Sequence, residues 1–187
     1  MSVAMEQRRK IHPHKFNLWI GIGSMMMMFA GFTSAFIIKR NQAGWISFDL
    51  PPVFWYSTAV ILMSSVCIWM AQQAFKARRM NRYRILMLLT LVLGVLFLVL
   101  QYIGFKQLWA KGITLTANVS YSFLYVIVGM HALHLVGGII ALVIMSLKAF
   151  GSKIKTYSSV PVELISTYWH FVDALWIYLL IFLLMIR

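Results

Sequence analysis

Residues 164–186 read LISTYWHFVDALWIYLLIFLLMI. At 1.5 Å of rise per residue a helix of this length covers a hydrocarbon core of roughly 30 Å. The run is continuous rather than alternating, and only helices or closed barrels satisfy their backbone in lipid, so a transmembrane helix is the reading. Within it, His170 and Asp173 contradict the solvent. An Asp at the centre of a membrane helix costs about 2.5–3.5 kcal/mol, so a compensating environment is required.

The rest of the chain repeats this character. Of 187 residues, 61% are hydrophobic and 11% are Asp, Glu, Lys or Arg, against roughly 25% charged in an ordinary soluble domain. Mean hydropathy is +0.82. Five apolar runs are long enough to span a bilayer: about 17–38, 54–75, 85–105, 122–147 and 164–186. Asp173 is the one charged residue inside them. The fold class is therefore all-α, a polytopic membrane protein, with one five-helix transmembrane domain over residues 1–187. The first 16 residues are polar and basic, and the apolar run after them is longer than a signal-peptide core, which argues against a cleaved leader.

The net charge of +13 does not indicate nucleic acid. The basic residues cluster between the apolar runs, as topology signals do. Twelve of the 17 fall before the first run, between the second and third (Lys76, Arg78, Arg79, Arg82, Arg84), and between the fourth and fifth. The positive-inside rule then predicts a cytoplasmic N-terminus and an outer C-terminus. Arg78, Arg79 and Arg82 are candidate contacts for anionic lipid headgroups. The single cysteine, Cys67, excludes an intrachain disulfide.

Several features have ordinary structural readings. Met25–Met28 faces all sides of its helix and reads as packing. Trp45, Trp55 and Trp109 lie near run ends, as belt residues do. Pro51-Pro52 is an extended approach to the second helix. Gly31 with Ala35, and Ala30 with Ser34, are small residues four apart that permit close helix contact.

The chemistry-bearing residues concentrate on the last two runs. Glu163, Ser166, His170 and Asp173 stand at i, i+3, i+7 and i+10, one helical face. His131 and His134 are i, i+3 neighbours on the preceding helix. The two helices are antiparallel and joined by a short loop, so His131, His134, His170 and Asp173 are expected to meet inside the bundle, with Glu163 nearer the cytoplasmic surface. The carboxylates would then pair with imidazoles. Such a set fits a structural hydrogen-bond network, a proton or headgroup site, or a metal or haem site. His12 and His14 lie in the N-terminal tail and do not contribute.

YWHFVDALW (168–176), with Glu163 before it and VGMHALHLVGG (128–138) on the neighbouring helix, resembles subunit III of the haem-copper terminal oxidases in its short five-helix bacterial form. LTLVLGVLFLVLQY (89–102) and STAVILMSSV (57–66) resemble the family's preceding helices. The resemblance implies an accessory, non-redox subunit of a cytochrome c oxidase in the bacterial inner membrane, multi-pass, with a periplasmic C-terminus. Haem and copper are implied for the partner subunits I and II and not for this chain. Subunit I and phospholipid are the implied binding partners, within a complex that can join a larger respiratory assembly. The implied role is sustained turnover and oxygen or proton access. Two departures stand out: Met25 follows Ser24 where many members carry a glutamate, and Gly104 stands where many carry an acid. The rival readings are a haem b-binding membrane anchor, with His131 or His134 and His170 as ligands, a quinol oxidase subunit III, and a small proton-coupled transporter.

Overall fold

The computed structural model describes residues 13–40, 51–114, 118–151 and 159–186. Trp45 and the tail residues up to His12 lie outside them. Five helices follow one another: α1 Pro13–Arg40, α2 Val53–Lys76, α3 Met80–Ala110, α4 Val119–Phe150 and α5 Val160–Ile186. All five are long and apolar enough to cross a membrane. They coincide with the five apolar runs but extend beyond them, most at α3, which starts five residues before the expected 85 and ends five after 105.

Local chemistry sets the ends. The α2–α3 turn closes in three residues, with Arg79 N–H donating to Ala74 O at 2.9 Å. Arg78 takes a left-handed φ of 57° there, a conformation that costs a non-glycine residue some strain. α3 stops at Gly112, whose φ of 79° lets Ile113 N–H reach back to Leu108 O at 3.1 Å, a common helix stop. α4 begins at Asn118, whose side chain accepts from Ser120 N–H at 3.0 Å and satisfies one orphan donor of the first turn.

α5 is the hub. Half of its spanning segment is buried, 50% against 28–33% in the other helices. It packs on α1, α2 and α4, while α3 closes the far side between α2 and α4. α1 rests on α4 and α5 and makes no close backbone approach to α2 among the described residues.

Two tryptophans of α5 fix this geometry. Trp169 is fully buried in a notch lined by Gly94 of α3 and Gly138 of α4. A Cβ at Gly94 would stand 2.8 Å from the indole, and one at Gly138 3.2 Å. Trp176, also fully buried, stacks on Phe54 at 6.1 Å and meets Phe97 edge-on at 5.1 Å.

α1 docks with Phe29, Thr33 and Phe36, all buried. Thr33 Oγ1 and Tyr178 OH of α5 share a hydrogen bond of 3.0 Å. The small residues Ala30, Gly31 and Ser34 instead lie on the exposed side, because the phenylalanine knobs set which face of α1 turns inward. Met25 is buried while Met26 and Met27 are exposed, as a run facing all sides requires. Trp55 and Trp109 are exposed near helix ends.

Candidate functional site

The polar side chains of α5 meet α2 along one seam. At its basic end, Glu163 accepts from Lys15 of α1 at 2.9 Å and stands 3.7 Å from Lys76 of α2. One carboxylate thus links two helices that make no close backbone approach among the described residues. Next along α5, Ser166 donates to Gln72 Oε1 at 3.1 Å. His170 Nδ1 then shares a 2.5 Å hydrogen bond with Ser65 Oγ. Trp169 Nε1 donates to Ser64 Oγ at 2.9 Å and Trp176 Nε1 to Thr58 Oγ1 at 3.0 Å.

Asp173 sits one turn beyond His170 on this seam and is 2% exposed. The Ser65 hydroxyl lies near its carboxyl but is shared with His170, and neither carboxyl oxygen has a formed hydrogen bond. A buried polar group in that condition is uncommon and costly.

The three imidazoles point to three different neighbours. His131 is buried with neither ring nitrogen partnered; its ring lies 5.2 Å from that of Trp176 and 6.2 Å from that of Phe97. His134 is half-buried, bonds through Nδ1 to Met130 O of its own helix at 2.7 Å, and turns its ring toward Phe29 of α1. Its backbone carbonyl accepts from Tyr168 OH at 2.9 Å. His170 bonds α2.

The expected imidazole–carboxylate network is therefore not made. Among the described residues, the carboxylate ion pairs are those of Glu163 with lysines. The reason is azimuthal. Residues three apart on a helix differ by about 60° in direction, enough to send His131 to α5 and His134 to α1. Glu163 does stand at the outer end of the set, beside the basic cluster.

No group of three or more His, Cys, Asp or Glu is close enough to hold a metal ion among the described residues. Nor do His131 and His170 converge on one centre: the His131 ring packs against Trp176 and Phe97, while His170 turns its Nδ1 to Ser65 of α2.

Arg78 and Arg79 on the α2–α3 turn and Arg82 in the first turn of α3 are exposed, and Arg79 and Arg82 line a shallow surface depression there. Arg84 behaves differently. Its Nε donates to Ala149 O at 2.7 Å and its guanidinium lies over Phe150, tying α3 to the end of α4.

Sequence reasoning centred on α5 missed the partners supplied by α2. Their signal was present: Thr58, Ser65 and Gln72 recur every seven residues along a mostly apolar helix, which keeps them on one face.

Comparison with known proteins bears on what this bundle belongs to. Residues 44–186 match the family model described as cytochrome c oxidase subunit III. A probable cytochrome c oxidase subunit 3 of Nocardia farcinica is 30% identical over 167 residues, covering 84% of this chain and 80% of the relative. The cytochrome c oxidase subunit 3 of Bacillus subtilis is 26% identical over 184 residues, 95% of this chain and 86% of the relative. A probable quinol oxidase subunit 3 of Staphylococcus epidermidis is 20% identical over 172 residues, 89% and 85% respectively.

Proposed function

The chain belongs to the cytochrome c oxidase subunit III family, and on that premise we propose that it is the redox-inert supporting subunit of the complex. It binds subunit I and phospholipid, sustains turnover, and eases the access of oxygen and protons to subunits that carry the haem and copper. It shares the membrane with subunits I and II, its N-terminus cytoplasmic and its C-terminus periplasmic.

The family match over residues 44–186 carries this reading. Among the described residues, His131, His134 and His170 turn to different neighbours, which supports it, because a ligand set for a redox centre needs imidazoles that converge. A lipid role draws support from Arg78 and Arg79 on the α2–α3 turn and Arg82 just after it, an exposed basic cluster of the kind that attracts anionic headgroups.

Deleting the chain from its native oxidase is the test. Haem content and initial oxygen consumption should stay near wild type, while activity should decay sooner over repeated turnover. Loss of the haem absorption from an otherwise assembled complex would overturn the supporting role.

A further inference from the structure

The polar groups of the α2–α5 seam stand in an order that its packing role does not require. From the basic end inward, α5 presents Glu163, Ser166, His170 and Asp173. At the first three levels α2 supplies Lys76, Gln72 and Ser65 opposite them. The series runs about 15 Å along the axis, from the helix end to the middle of the span. There it stops. Trp176 fills the next level, its N–H on Thr58 and its ring against Phe54, Phe97 and His131. Beyond it the buried residues of α5 are Leu179, Leu180, Phe182 and Leu183.

The terminus of the series is a buried carboxyl with no formed hydrogen bond on either oxygen, its nearby hydroxyl, Ser65, being shared with His170. An anion left so in hydrocarbon is strongly disfavoured, and no lysine or arginine among the described residues pairs with it. We propose that the α2–α5 seam is a one-ended proton path. It opens at the Lys15–Glu163–Lys76 end and finishes at Asp173, whose carboxyl carries a proton and exchanges it with that end alone.

The titratable groups around Asp173 are consistent with this direction. On its own helix His170 and Glu163 lie on the basic-end side. From α4, His131 lies across Trp176. From α1 and α2 the charged groups on the seam are Lys15 and Lys76, both at the mouth, and Lys39 and Arg40 stand at the opposite end of α1. In an exchange step the Ser65 side chain turns from His170 to the carboxyl and accepts its proton at Oγ, Ser65 passes one to His170 Nδ1, and His170 releases one from Nε2 to the basic end. The reverse sequence returns it. Only O–H and N–H bonds form and break, and no electron moves. The one-turn step from the Ser166–Gln72 level to the Ser65–His170 level is about 6 Å, a distance one water bridges.

The path is closed inside this chain and hands no proton to another subunit, so it goes beyond the access role proposed above; its test uses the resting oxidase complex. The infrared difference between wild type and Asp173→Asn should isolate the carbonyl stretch of a protonated carboxyl. Asp173→Glu should shift that band, which identifies it independently of how well the Asn variant assembles. On transfer to D2O the wild-type band should shift promptly. In Gln72→Leu and in Ser65→Ala it should persist while its exchange slows about tenfold or more. Ser65→Thr, which keeps the hydroxyl, should restore the rate, and Thr58→Val, beyond the stop, should leave it unchanged. Absence of the acid band overturns the proposal, as does equal exchange in Gln72→Leu and Ser65→Ala, or slowing by Thr58→Val. The supporting role is read separately, by turnover. Expected exchange beside unaltered turnover in the deletion strain keeps the path and removes the role; the converse removes the path alone.

Discussion

Trp169 and Gly94 touch across the α5–α3 interface with no space for a methyl group, since a Cβ at Gly94 would stand 2.8 Å from Cη2 of the indole. The indole cannot retreat. Its far edge meets Gly138 of α4, and its N–H is committed to Ser64 of α2. One side chain therefore sets the separation of four helices.

Gly94→Ala is expected to destabilise the bundle by about 1–3 kcal/mol, the usual cost of overpacking a filled core. Gly137→Ala is the matched control, because its Cβ would meet nothing closer than 3.9 Å. Thermal denaturation of the assembled complex should show a lowered midpoint for the first variant and an unchanged one for the second. Equal midpoints would show that the notch relaxes.

Glu163→Gln removes both ion pairs that join α1 and α2 to the start of α5. The lysine side chains are 43% and 51% exposed, so each pair contributes about 0–1 kcal/mol. A small loss of stability follows, with a distinctive salt response. Raising ionic strength should bring the wild type down toward the variant, whose own stability should hardly move. A variant as salt-sensitive as the wild type would place the effect elsewhere.

Asp173 gives an outcome opposite to the one expected from sequence. Had the carboxylate been paired with imidazoles, Asp173→Leu would leave those imidazoles unsatisfied. Its oxygens have no partner to leave behind, and replacing an unpaired buried polar group with an apolar one is near neutral or stabilising. Complex yield and thermal midpoint of Asp173→Leu should match or exceed those of wild type, and Asp173→Asn should be mild. Failure of the Leu variant to assemble would reveal a partner for the carboxyl that the bundle alone does not contain.

Topology follows from the distribution of basic residues. An alkaline phosphatase fused after Arg187 should be active, and a fluorescent reporter fused before Met1 should fluoresce in the cytoplasm. The reverse pattern would invert the orientation.

Hydrophobic run length gave the number and order of the helices because lipid imposes one periodicity and one minimum length on every span. The ends moved by up to five residues, since backbone near the headgroups can stay helical while its side chains become polar; Arg82 and Arg84 lie inside α3 for this reason. The residues of the candidate site were legible as a set, but their partners were not. Which way His131 and His134 face depends on how α4 is rotated against α5, and the Gly94 and Gly138 notches around one indole set that rotation. At Gly104, where the resemblance leads one to expect an acid, a Cβ would stand 3.1 Å from the ring of Phe54. Met25 lies buried in the core. Both departures read as packing once the neighbours are known.

The absence of a close approach between the described parts of α1 and α2 bears on how the protein is made. α1 leaves the ribosome before the other four helices, yet its docking surfaces belong to α4 and α5, the two of the five made latest. The α2–α3 hairpin can close as soon as its three-residue turn is made, but α1 must wait alone in the bilayer until nearly the whole chain has been inserted. Its Thr33 and Lys15 lack their α5 partners during that interval. A ribosome stalled before α5 should therefore hold a formed hairpin and an undocked first helix. Long-range closure of this kind is the slow step expected in assembly.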